Sequence, residues 1–227
     1  ALEKTLHARR SSSKLGELLA AARQTKLAGS ELRQVQLIEK SYHRNCKVPA
    51  EISVALAGLT SKSQHIWAQA RADEAVKDFT PILAEVVALR QQEATALADG
   101  TELSLYDALL RDYEPDGSTA EISKMFEALR SPLVALRSAV LERPPAPELE
   151  GQFDPQLQLK LSRELAECFG YNMACGRIDR AVHPFCSGTG ADVRITTRTD
   201  SSDPLGCFYS TIHEVGHGNY EQNIDQS

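Results

Sequence analysis

No apolar run in this 227-residue chain approaches the ~20 residues that a membrane-spanning helix requires, so no membrane partner is expected. The opening Ala-Leu-Glu-Lys-Thr-Leu-His has neither an apolar core nor a cleavage pattern, so no secretory signal is read there. Cys-x-x-Cys is missing as well. The five cysteines, Cys46, Cys168, Cys175, Cys186 and Cys207, are odd in number and widely spaced. That spacing excludes a zinc ribbon and argues against a disulfide framework, leaving free thiols in a reducing compartment as the expectation. Internal repeats and low-complexity tracts are absent too. With 42% hydrophobic and 25% charged residues, a collagen-like, mucin-like or wholly disordered chain is excluded. The length suffices to bury a sizeable core, in one large domain or two small ones.

Charge is unevenly spread. The net charge is −6, yet residues 1–47 carry 10 cations against 4 anions. A nucleic-acid arm is one reading of that excess. Its cations alternate with leucines at helical spacing, however, so a solvated helix face is preferred and no nucleic-acid partner is expected.

Most of the chain has helical periodicity. Leu15, Leu18, Leu19 and Ala22 share one face, as do Leu32, Val35, Ile38 and Tyr42. Pro49 and Pro81 each suit a first helical turn, and Ser118-Thr119-Ala120-Glu121 has the spacing of a capping box. Three prolines within residues 143–147 cannot continue a helix. We therefore expect a single helical domain over 1–227, with a helical region 1–142, a rigid connector 143–155 and a final region 156–227. At the end of the connector Asp154-Pro155 opens a helix, in which Leu157, Leu161, Leu165 and Phe169 point inward and Gly170 ends it. Residues 192–199 alternate, with β-branched Val193, Ile195, Thr197 and Thr199 facing one way and Asp192, Arg194, Thr196 and Arg198 the other, which marks a strand belonging to a small sheet.

Chemistry is concentrated at His213-Glu214-Val215-Gly216-His217, a His-Glu-x-x-His pattern. On a helix opened by Pro204, residues four apart are neighbours, so both imidazoles can reach one metal ion. Glu214, one step round, is placed to take a proton from a water activated by that ion. Two surface histidines and an ordinary glutamate are the alternative. Tyr220 and Asn223 occupy positions where a metzincin would have Gly and a third His. A third ligand must then come from elsewhere. Glu221 lies a turn beyond His217 and rotated round the helix, so it reads as a hydrogen-bonding neighbour of the ligands. Asp225 is further still, and His183 and Asp192 are upstream candidates.

With these residues in view, the chain resembles the carboxypeptidase Taq family of metallocarboxypeptidases. His183-Pro184-Phe185, the strand Asp192 to Arg198, and Thr211 to Gln222 match three family motifs in order, and Tyr106 to Pro115 is also similar. The resemblance implies His213 and His217 as metal ligands and Glu214 as general base and acid. It implies a substrate cleft lined by His183, Asp192 and Arg194. It also implies a mainly α fold, a multi-helix body with a small β-sheet beside a zincin-type helix. Zinc or another divalent metal, peptide substrates cleaved at their C-terminus, a cytoplasmic location and a homodimer are further implications.

Family members are longer and carry a glutamate ligand in a later His-Glu-Ser-x-Gln motif that is not in this sequence. The expectation is therefore a truncated member whose metal site is incomplete in this chain. The alternative is a non-catalytic helical remnant that binds peptides or partners. Gly218 stands where the family has a better helix former, at an expected cost of ~1 kcal/mol.

Overall fold

The computed structural model describes residues 1–224 apart from 146 and 148. Asp225 and part of the expected connector lie outside the described residues. The chain forms two compact units, 1–142 and 143–227. The first contains α1 (Leu2–Arg10), α2 (Ser13–Arg23), α3 (Gly29–Lys47), α4 (Ala50–Ala72), α5 (Val76–Ala98), α6 (Leu105–Leu110) and α7 (Thr119–Leu141). The second contains α8 (Pro155–Cys168), β1 (Gly176–Arg180), β2 (Cys186–Thr189), β3 (Asp192–Thr197) and α9 (Pro204–Gln222). The architecture is mainly α with one small sheet, as the sequence predicts.

In the first unit α4 packs along α5, α1 on α4 and α6 on α5. Val48, Leu97 and Ala108 form its buried apolar cluster. Beside them Glu93, only 5% exposed, accepts hydrogen bonds from Arg44 at 3.1 Å and Arg90 at 2.6 Å. Arg44 also pairs with Asp112, so the buried carboxylate and its guanidinium are both satisfied, as burial demands. Pro81 does not begin a helix. Helix α5 starts five residues earlier, at Val76, and Pro81 sits in its second turn, where it forfeits only the bond to the Lys77 carbonyl. Ser118 caps α7 by accepting from the Glu121 N–H, and its hydroxyl donates to the Glu121 carboxylate at 2.8 Å. The first N–H of α7 goes instead to Asp107, which accepts from both the N–H and the hydroxyl of Thr119.

The second unit is a sheet covered by α9. Strand order is β1-β3-β2, with β1 parallel and β2 antiparallel to β3. Alternation on β3 buries Val193, Ile195 and Thr197, and Ile195 meets Val215 of α9 in a cluster with Ala166, Tyr171 and Ile178. The two outer strands are too short to announce themselves, β1 being Gly-Arg-Ile-Asp-Arg with a single apolar side chain and β2 Cys-Ser-Gly-Thr. Helix α8 ends in a Schellman motif. Gly170 has φ +90°, the Tyr171 N–H reaches the Ala166 carbonyl and the Gly170 N–H reaches that of Glu167.

The inward face expected for α8 is corrected. Leu157 is 65% exposed and Phe169 54%, and Leu161 is exposed too, while Gln158, Ser162 and Ala166 are buried. The reason is hydrogen bonding. Gln158 donates to the carbonyls of Phe153 and Asp200 at 2.9 and 2.7 Å. Ser162 joins a buried hydroxyl network with Thr211 and Thr197. Small and polar residues let α8 approach α9 closely, and the leucine stripe is left on the outside.

Candidate active site

Helix α9 carries the candidate site. Asp203 caps it, accepting from the Leu205 N–H at 3.0 Å, and Pro204 occupies its first turn. Its packed face is formed by Cys207, Thr211, Val215 and Gly218. Leu205 and Tyr209 point outward instead. Thr211 donates to the Cys207 carbonyl at 2.9 Å, with Ser162 and Thr197 hydroxyls each 3.1 Å from its oxygen. This dry network fixes the rotation of α9 two residues before His213.

That rotation turns His213 and His217 to the exposed side and Glu214 inward, at 6% exposure. The two imidazole Nε2 atoms stand 3.3 Å apart. A direct N–H···N bond at that length is a long one. Two nitrogens bonded at ~2.0–2.1 Å to one tetrahedral ion would be ~3.3–3.4 Å apart, so the pair fits a shared divalent metal. Among the described residues no cluster of three or more His, Cys, Asp or Glu side chains completes a metal site.

A cavity of about 380 Å³ lies between β2 and α9, lined by Phe185 to Gly188 on one side and by Glu214, His217, Tyr220 and Glu221 on the other. The Glu214 carboxylate accepts no hydrogen bond from another described residue, so its lone pairs are open to whatever occupies the cavity. Burial, and then the nearby Glu214 and Glu221 carboxylates, push the Cys186 thiol above its ordinary pKa. The outer edge of β2 has no strand partner among the described residues.

The end of α9 is anchored beyond His217. Asn219 donates to the Phe169 carbonyl at 2.8 Å, and Gln222 pairs with both backbone groups of Asn172. Gly218 is buried where Tyr171 crosses the helix. A Cβ there would stand 2.8 Å from the Tyr171 ring, so the position requires glycine for packing, a reason that helix propensity alone does not reveal.

The structure brings together His213, Glu214, His217 and Glu221, all on α9. It does not bring the other expected residues to this cavity. Asp192 and Arg194 lie on the exposed face of β3, opposite its buried Val193 and Ile195, and pair with each other at 2.8–2.9 Å. The Arg194 guanidinium holds the Asp192 carboxyl below the usual carboxylate range. His183 is exposed in the loop between β1 and β2 and is not part of the lining. Cys186 and Tyr220 line the cavity without having been anticipated. A strand assigned to 186–189 would have pointed to Cys186.

The family described as carboxypeptidase Taq (M32) metallopeptidase matches residues 1–227. Thermostable carboxypeptidase 1 of Thermus thermophilus is 32% identical, over 99% of this chain and 47% of its own length. Among solved structures, the BsuCP crystal structure superposes with a TM-score of 0.91 at 29% identity, covering 99% of this chain and 46% of that one. The M32 carboxypeptidase from Deinococcus radiodurans R1 gives 0.81 at 30% identity, covering 97% and 45%. The chain thus spans about half the length of the relatives it matches. On the match along its whole length, this chain belongs to the carboxypeptidase Taq family of metallopeptidases.

Proposed function

We propose that this chain carries the metal helix of a carboxypeptidase that removes C-terminal amino acids from peptides. The observation that carries this reading is the 3.3 Å separation of the His213 and His217 Nε2 atoms, with the buried Glu214 one residue on. His213 and His217 would hold a divalent metal, zinc by the chemistry of two imidazoles, together with a ligand from outside the described residues. The metal supplies a more acidic water and polarisation of the scissile carbonyl. Glu214 accepts the proton of the attacking water and returns it to the departing amine. Glu214, itself only 6% exposed, lines the cavity beside His217. An extended peptide is positioned by the free edge of β2, whose backbone groups are available for strand addition. Zinc, a cytoplasmic location and a homodimer belong to the same proposal.

The test is release of the C-terminal residue from an unblocked peptide in the presence of zinc, followed by mass spectrometry. Activity is expected to vanish with chelator, to fall at least about 100-fold in Glu214→Gln, and to be absent on a C-terminally amidated peptide. Hydrolysis that survives both chelator and the Glu214 variant contradicts the mechanism. A chain that binds peptide but never cleaves it supports the non-catalytic alternative.

A further inference from the structure

The cationic excess of residues 1–47 is not absorbed by the site on α9, and part of it surrounds a second cavity, in the first unit. This cavity, of about 180 Å³, lies between α3, the turn after α5, and α6. Lys40, His43, Arg44 and Lys47 line it from successive turns of α3, and Arg111 faces them from the end of α6. Its floor is apolar, made by Leu97, Leu103 and Ala108, with Leu97 and Ala108 buried.

The charges around it do not cancel. Among the lining residues Asp112 is the sole carboxylate, and it is held by Arg44, whose guanidinium also serves buried Glu93. Lys47 donates to the carbonyls of Leu97 and Asp99 at 3.1 and 2.9 Å, where it caps α5. Those carbonyls, at the C-terminal end of α5, offset the ammonium charge in part but form no ion pair, and a third ammonium proton is unspent. The side chains of Lys40 and Arg111 donate no hydrogen bond and close no ion pair among the described residues. Glu39 beside His43 and Asp107 beside Arg111 temper the field from outside the lining. With Arg44 neutralised by its two carboxylates, Lys40, Lys47 and Arg111 are the three cations on this concave surface that close no ion pair among the described residues, and they give it a positive potential in a chain of net charge −6.

We propose that this cavity binds a small organic carboxylate with an apolar body. The floor takes the hydrocarbon, while Lys40, Arg111 and the remaining Lys47 proton take the carboxylate. A volume of 180 Å³ corresponds to about six water volumes at ~30 Å³ each, which suits a ligand of a few heavy atoms. The cations also surround a hollow rather than forming a flat stripe, which separates this site from a nucleic-acid track. The proposal is independent of the chemistry on α9.

Hexanoate added to the 227-residue chain and followed by backbone amide NMR tests it directly. Saturable shifts are expected at residues 40–47 and 97–103 together. The double variant Lys40→Gln/Arg111→Gln, which breaks no internal ion pair, should weaken binding at least about tenfold. Acetate and inorganic phosphate should each bind more weakly than hexanoate by about fivefold or more. Shifts that do not saturate, shifts scattered over other lysines, or a double variant that binds like the parent overturn the site. Phosphate or acetate binding as tightly as hexanoate overturns the assigned ligand class.

Discussion

The side-chain amide of Gln222 is paired with both backbone groups of Asn172, donating to its carbonyl at 3.0 Å and accepting from its N–H at 2.9 Å. This two-point clasp fixes the end of α9 to the turn preceding β1, five residues beyond His217. Gln222→Ala is expected to destabilise the second unit by about 1–3 kcal/mol, the range for two lost hydrogen bonds to backbone. Gln222→Glu should be no better, because a carboxylate cannot donate to the Asn172 carbonyl. Denaturant unfolding of the three proteins checks this, and a Glu variant as stable as the parent would count against the clasp.

Two glycines flank His217 and should respond in opposite directions. At Gly216 a Cβ meets nothing within 4 Å, whereas at Gly218 it meets the Tyr171 ring at 2.8 Å and the Ile195 methyl at 3.4 Å. Gly216→Ala is expected to stabilise α9 by roughly 0.5–1 kcal/mol through helix propensity. Gly218→Ala should destabilise by about 1–3 kcal/mol through overpacking. Thermal unfolding measures both, and equal signs would contradict the packing described.

Acid should weaken the junction of α6 and α7. The Ser104 hydroxyl, with help from the Thr119 hydroxyl and N–H, holds the Asp107 carboxyl below its ordinary value. A group depressed in the folded state binds protons more readily when unfolded. Its contribution is therefore complete above the unfolded value of ~3.9 and is lost as pH falls through the lower, folded one. Asp107→Asn should lower the midpoint of thermal unfolding at pH 7 and lower it less at pH 3. An equal loss at both values would show that the charge is not what matters.

The motif on α9 was legible because each of its residues has one chemical task and helical spacing places them together. The caps at Ser118 and Asp154 and the stop at Gly170 were legible for the same reason, since local backbone demands select few residue types. What a stripe of leucines touches was not legible. On α8 the close approach to α9 needed Ser162, Ala166 and Gln158 inside, so hydrogen bonds overrode the apolar period. On β3 the alternation was visible, yet it turned Asp192 and Arg194 to the face away from the cavity. Strand β2 escaped notice because Cys-Ser-Gly-Thr has no periodic signature. It still forms one wall of the site.

The central claim is that His213 and His217 act as one metal site beside Glu214. Zinc titration followed by imidazole nitrogen NMR tests it most directly, because the chain has 6 histidines that serve as internal controls. The account predicts that the Nε2 resonances of His213 and His217 move together in a single one-to-one transition, leaving those of His7, His43, His65 and His183 in place. Separate transitions, or His213 and His217 unmoved at saturating zinc, would contradict it.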